Sequence, residues 1–255
     1  MTLSRSLKGS IALVTGAGSG MGAATAQVLA SEGAHVAVTD YDSVSAQSVA
    51  KSLRDQGLSA QAWTLDVADG NQIRQVVSEI AAQFGGLDIV INNAGVSGFS
   101  PIDSESYDAV WAKSLAILLT AHHLVIRAAL PHLRKSSAAR IVNIASTEAL
   151  GATSRDSPYA AAKAGVLGLT RALAVELGPE GITVNCICPG PILTGMTQNL
   201  PEADRTVFAK RRTALRRYGA PEEVAHMTVS LCLPAASYIT GAVIPVDGGL
   251  MARNA

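Results

Sequence analysis

Seven short apolar runs punctuate the chain, at residues 11–15, 35–39, 61–65, 89–92, 140–144, 183–187 and 243–246. Segments with helical spacing fill the gaps, at 22–31, 43–56, 71–84, 107–133, 158–177 and 221–233. Strand and helix therefore alternate along the chain. Such alternation implies right-handed crossovers and a mostly parallel sheet. Strands that are apolar nearly throughout belong in a sheet covered on both faces. The expected fold is one α/β domain spanning residues 1–255, a doubly wound parallel sheet of about seven strands with helices on both sides. Residues 191–220 break the rhythm. Long, polar and irregular, they read as a lid over a substrate site.

The 255 residues are 48% hydrophobic and 16% charged, enough apolar material for a sizeable core and too much for a disordered chain. Formal net charge is +0, so nothing electrostatic points to nucleic acid or an acidic membrane. Three cysteines, Cys186, Cys188 and Cys232, form no pairable framework and read as reduced thiols of a cytoplasmic protein. Cys186 and Cys188 alternate along a strand and are expected to line the core. The first nine residues lead into no run long enough for a signal peptide. The apolar stretch 115–130 is interrupted by His122, His123 and Arg127, which suits a buried helix that also packs on a partner subunit, not a membrane span. No ligand partner stands at metal spacing from either histidine, so no metal site is expected.

Residues 11–22 read IALVTGAGSGMG, a strand entering a glycine-rich turn that opens a helix. Glycine lets backbone approach a pyrophosphate closely, and a helix N-terminus offers unpaired N–H groups to the anion. A glycine pattern alone is weak, but here it has the strand-turn-helix context that the function requires. Asp40 ends the next strand, 18 residues past Gly22, near the spacing for a carboxylate that bonds an adenosine ribose diol. That carboxylate would repel a 2′-phosphate. Tyr41 follows it instead of a basic residue, so NAD is favoured over NADP. Asp42 and Ser43 are the candidate caps of the next helix.

The spacing of Thr15, Gly16, Gly20 and Gly22 resembles the cofactor loop of the short-chain dehydrogenase/reductase family. Further stretches match that family in order. They are Leu65-Asp66-Val67, Asn92-Asn93-Ala94-Gly95, Ser146 with Tyr159 and Lys163, the segment 189–194, and Val246-Asp247-Gly248-Gly249. The resemblance runs from about Leu7 to Leu250. It implies a Rossmann-type domain in a homotetramer or homodimer, a tyrosine acid/base and a small-molecule alcohol or ketone substrate. It further implies cofactor contacts from Gly16, Ser19, Gly20, Met21, Gly22, Asp66, Val67, Asn93, Ala94, Gly95, Ile192 and Thr194.

Oxidising a carbinol removes a hydride and a hydroxyl proton. A phenol of ordinary pKa about 10 is a poor base at neutral pH, and a nearby cation favours its charged form. Tyr159 and Lys163 are four apart and share a helix face, so Lys163 is expected to lower the phenol and to bond the nicotinamide ribose. Ser157-Pro158 suits a helix start with the serine as cap. The Ser146 hydroxyl would hold the substrate oxygen. The family usually carries a proton-relay asparagine in the helix after the Asn92–Gly95 motif. Here the register places Ser114 there, beside Lys113, and Ser114 is expected to hold a relay water.

Candidate substrate contacts are Val96, Phe99, Leu150, Met196 and Leu200, with Glu148, Arg155 and Asp156. The basic residues Lys210, Arg211, Arg212, Arg216 and Arg217 are read as a solvated face that meets Glu222 and Glu223, with a grip on an anionic substrate tail as the sharper alternative. The expected activity is NAD(H)-dependent interconversion of a secondary alcohol and its ketone. A 3-oxoacyl-carrier reductase and a non-catalytic NAD-binding sensor stand beside it as alternatives.

Overall fold

The computed structural model describes residues 3–198 and 200–253, apart from the side chains of Met196 and Gln198. Seven strands form one parallel sheet, β1 (Ile11–Thr15), β2 (His35–Asp40), β3 (Ala60–Thr64), β4 (Ile89–Asn92), β5 (Arg140–Ile144), β6 (Thr183–Pro189) and β7 (Val243–Val246). Their order is β3-β2-β1-β4-β5-β6-β7. The order reverses beside β1, between β2 and β4. In such sheets a crevice opens there, past the carboxyl ends of the strands.

Every residue of β1, β4, β5 and β6 is buried, while the edge strands β3 and β7 are partly open. Helices α1 (Gly20–Ser31) and α2 (Ser43–Asp55) cover one face together with α9 (Pro221–Ser230). On the other lie α3 (Gly70–Phe84), α4 (Tyr107–Leu115), α5 (Ala121–Leu133) and α6 (Ser157–Leu177). Asp42 caps α2 by accepting from Val44 and Ser45, as expected, and Asp69 does the same for α3.

The single helix expected at 107–133 contains a π-helical turn, Ala116–Thr120, between α4 and α5. Its length and composition would suit a membrane span. It packs instead against α3, α6 and β4 within the domain.

Two local expectations are corrected. The 191–220 stretch is not irregular throughout, since it holds α7 (Gly195–Gln198) and α8 (Glu202–Arg212). Only Ala209 of α8 is buried, so the helix lacks the apolar stripe by which a sequence announces one. Ser157 is not the cap of α6. Asp156 holds that position, and the Ser157 hydroxyl pairs with that of Tyr107 at 2.9 Å.

Candidate active site

A groove of about 650 Å³ crosses the carboxyl edge of the sheet. At one end stand Asp40, Asp66 and Val67, and at the other Tyr159, Lys163 and Thr194. Gly16, Ser19, Gly20, Met21 and Gly22 line its floor, with Asn93, Ala94 and Gly95 facing them. The fold thus gathers most of the residues singled out as cofactor contacts. Ile192 is not among the lining residues. It is buried and bridges Gly219 instead.

The floor is built for close backbone approach. A Cβ on Gly22 would collide with the Gly16 carbonyl, and one on Gly16 would meet the Ala94 Cα at 2.7 Å. Gly16 also has φ of 62°, where a side chain is strained. Thr15 ties the two loops together. Its hydroxyl accepts from the amides of Asn93 and Ala94, both at 3.0 Å, and the Asn93 side chain donates to the carbonyls of Thr15 and Gly16. Ser19 at the N-cap of α1 makes no side-chain cap, so the first N–H groups of that helix stay available to an anion in the groove.

Asp40 is buried, and its carboxylate is already half engaged. One oxygen accepts from the Gly18 amide at 2.9 Å and the other from the Asp42 amide at 3.0 Å. These bonds fix the carboxylate against the loop. A glycine cradle, an open helix N-terminus and a fixed acid at the far end suit the pyrophosphate and ribose of a nicotinamide dinucleotide.

At the other end, the Lys163 Nζ donates to the Ile144 carbonyl at 2.7 Å and lies 5.7 Å from the Tyr159 ring centre. Burial pushes the Tyr159 phenol up to about 12, opposed by a hydrogen bond from the Ser146 side chain. The negative charges of Asp156 and Glu148 add to the rise. The expectation that Lys163 holds this phenol below its ordinary value is therefore corrected for the structure as it stands. Desolvation is the leading influence on the phenol. It also brings Lys163 itself down to about 8. The Ser146 hydroxyl, at the end of β5, accepts from the Glu148 amide at 3.1 Å.

Ser114 is buried and does not line the groove, whereas Lys113, one residue earlier, is exposed and does. The sequence reading gave Lys113 no cofactor role, because its place on the groove wall depends on how α4 lies over the groove. Behind Lys163 runs a buried polar chain. Asn92 donates to Asn143 at 2.9 Å and Asn143 to Thr170 at 3.0 Å. His122 packs nearby, and burial, followed by the Lys163 charge, lowers it to about 3. Cys186, Cys188 and Cys232 are buried free thiols. In the basic cluster, Arg217 pairs with Glu223 at 2.7 Å, as the solvated-face reading expects, and Lys210, Arg211, Arg212 and Arg216 are exposed. No group of metal-ligating side chains occurs among the described residues.

Residues 16–251 match the family described as enoyl-(acyl carrier protein) reductase. A 3-oxoacyl-[acyl-carrier-protein] reductase of Thermotoga maritima is 36% identical over 248 residues, 96% of this chain and 99% of its own. A meso-2,3-butanediol dehydrogenase of Serratia marcescens is 38% identical over 244 residues, 96% and 95% of the two chains. A solved structure from Agrobacterium tumefaciens, proposed to be a gluconate dehydrogenase, superposes with a TM-score of 0.91 at 34% identity, covering 97% of this chain and 98% of that one.

Proposed function

The chain belongs to the short-chain dehydrogenase/reductase family of oxidoreductases, and from that premise we propose that it is an NAD(H)-dependent enzyme interconverting a secondary alcohol and its ketone. One observation carries the cofactor choice: the buried Asp40 carboxylate, fixed by two backbone amides at the end of the groove. It accepts from ribose hydroxyls and repels a 2′-phosphate. When bound, the nicotinamide supplies or takes up the hydride.

The chain's own side chains handle the proton. Tyr159 gives a proton to the substrate oxygen in reduction and removes it in oxidation. Ser146 holds that oxygen. Lys163 bonds the nicotinamide ribose and carries positive charge beside the phenol. Ser114 holds a water on the proton's way out. Residues 191–220, with α8, act as the substrate lid. A homotetramer or homodimer in the cytoplasm goes with this reading, supported by three unpaired thiols and apolar groups left open on α4 and α6.

Stopped-flow or steady-state assays with a panel of alcohols and ketones, each run with NAD(H) and NADP(H), test it. Turnover with NAD(H) at the higher kcat/KM is the expected result, and a preference for NADP(H) refutes the cofactor assignment. A second reading, reduction of a 3-oxoacyl carrier, is favoured by the family description and by the Thermotoga relative. An acetoacetyl thioester in the same panel separates the two.

A further inference from the structure

Lys113 and Ile117 stand one helical turn apart, and both line the groove. Their neighbours Ser114 and Leu118 are buried, so the helix turns its 113 and 117 side to the groove. The wall it forms lies close to the glycine floor. A Cβ on Gly98 would meet the Val110 side chain at 3.1 Å, and one on Gly95 would meet that of Leu118 at 3.5 Å. The loop thus covered is the one whose Ala94 blocks a Cβ on Gly16. Lys113, between Val110 and Leu118 along the helix, therefore rises beside the loop that faces the floor.

The charges of the groove are unequal. Its lining holds the carboxylates of Asp40, Asp42 and Asp66 and the ammonium groups of Lys113 and Lys163. Lys163 is buried and gives its hydrogen bond to the Ile144 carbonyl. The glycine turn, residues 15–22, contains no basic side chain. Lys113 has neither ion pair nor hydrogen bond among the described residues. It is exposed, and its ammonium rides on a flexible stem. A diphosphate on the glycine floor would bring its negative charges toward those carboxylates. The open N-terminus of α1 offsets part of that repulsion. Lys113 is the cation left to offset more.

We propose that Lys113 is a binding residue for the dinucleotide, its ammonium pairing with the diphosphate bridge. This rests on reading the groove as a nicotinamide-dinucleotide site. It is independent of whether NAD or NADP is preferred, since both carry the same bridge, and of the alcohol–ketone chemistry. The pair is charge-assisted and partly open to water, so salt screens it.

The test uses the full chain and reads binding, not turnover. Fluorescence gives the Kd of NADH, and displacement of NADH gives those of ADP and adenosine. Lys113→Gln keeps a polar side chain and removes the charge. It should raise the Kd of NADH and of ADP about fivefold or more, and that of adenosine less than about twofold. Lys113→Arg keeps the charge and should stay within about twofold of the parent for all three. Raising NaCl from about 0.05 to about 0.5 M should weaken ADP binding more in the parent than in Lys113→Gln. Three results overturn the proposal: NADH and ADP bound equally by Lys113→Gln and the parent, an equal loss for adenosine and ADP, or one salt dependence for both proteins. The underlying readings fail differently. Tighter binding of NADPH than of NADH refutes the NAD assignment, and a Lys113-dependent ADP affinity beside it leaves the diphosphate contact standing. A parent chain that binds neither NADH nor ADP refutes the dinucleotide site, and the role of Lys113 with it.

Discussion

The Lys163 ammonium stands 5.7 Å from the centre of the Tyr159 ring and gives its hydrogen bond to the Ile144 carbonyl, 2.7 Å away. Burial keeps the phenol protonated until about pH 12. On the alcohol–ketone reading proposed above, this phenol donates its proton in reduction, and oxidation must first reach the phenolate. Oxidation kcat/KM should rise with pH across the neutral range. Tyr159→Phe should lose about 10²–10⁴-fold in kcat while NADH still binds. Lys163→Ala should weaken both. Retention of a tenth of kcat in Tyr159→Phe would remove this residue from its role.

Replacing Asp40 with Ser should weaken NAD binding by about 1–3 kcal/mol, because ribose hydroxyls lose a charged acceptor. The Gly18 and Asp42 amides lose theirs as well, so the glycine loop loosens. Calorimetry with NAD and NADP should show the gap between them narrowing. A gap that stays as wide in the variant would mean that discrimination lies elsewhere.

Ser114→Ala should cut kcat modestly, about two- to twelvefold, the worth of one neutral hydrogen bond of 0.5–1.5 kcal/mol. Proton release should slow more than hydride transfer, so solvent and substrate isotope effects separate the two steps. Ser114→Asn should leave activity equal or higher. Identical kcat and identical solvent isotope effects in Ser114→Ala and the parent chain would exclude Ser114 from the relay.

Asp156 lets the site be weighed against stability. Its carboxyl is raised from 3.8 to about 6 in the folded chain. Well below pH 3.8 it is protonated whether folded or unfolded, and its ionisation costs the fold nothing. As pH rises through about 6 the unfolded chain is already ionised, and the folded one ionises at a penalty. Asp156→Asn should therefore be more stable than the parent above pH 6, by about 1 kcal/mol after allowing for solvent screening, with the gain fading as pH falls from 6 and gone well below pH 3.8. Urea titrations at the two pH values measure it, and a gain of equal size at both would assign the effect to something other than charge.

Trp111 on α4 and Val175 on α6 are open to solvent in the single chain, at 38% and 79%, and so are Tyr238 and Ile239 just before β7. Apolar groups left open on adjoining helices and beside an edge strand suit contacts with further copies. Sedimentation should give a homotetramer or homodimer at micromolar concentration, and Val175→Glu should shift it toward smaller species. A stable monomer of the parent chain would contradict this.

The sheet was legible because its strands are apolar almost throughout. Six of the seven begin and end within a residue of the expected limits, and β6 runs on to Pro189. The cofactor groove was legible for a related reason. Gly16, Gly22 and Asp40 have chain positions that dictate their geometry. The rest depends on contacts between distant segments. Nothing in Ala116-Ile117-Leu118-Leu119-Thr120 marks a π turn, since it holds neither glycine nor proline. The Tyr159 phenol is set by how deeply α6 buries it, which no spacing reveals. Asp156 sat among the candidate pocket residues, but the burial and the Glu148 charge that raise its carboxyl emerge only in the folded chain.

The widened turn at Ala116–Thr120 has a consequence for how this chain tolerates change in length. A π turn accommodates one residue more than an α turn. Deleting one residue there would let the helix close into regular α form with every backbone bond intact, so the chain would still fold locally. Because the widened turn already holds that one extra residue, everything beyond would keep its phase about the axis. His122 would keep its buried seat, and the apolar side of α5 would stay on the sheet. Most surface segments absorb a deletion by tightening a loop. Here a core helix can absorb one at its widened turn, whereas the same deletion in the regular turns of α5 would rotate the residues beyond it by about 100° and carry its core face out of phase.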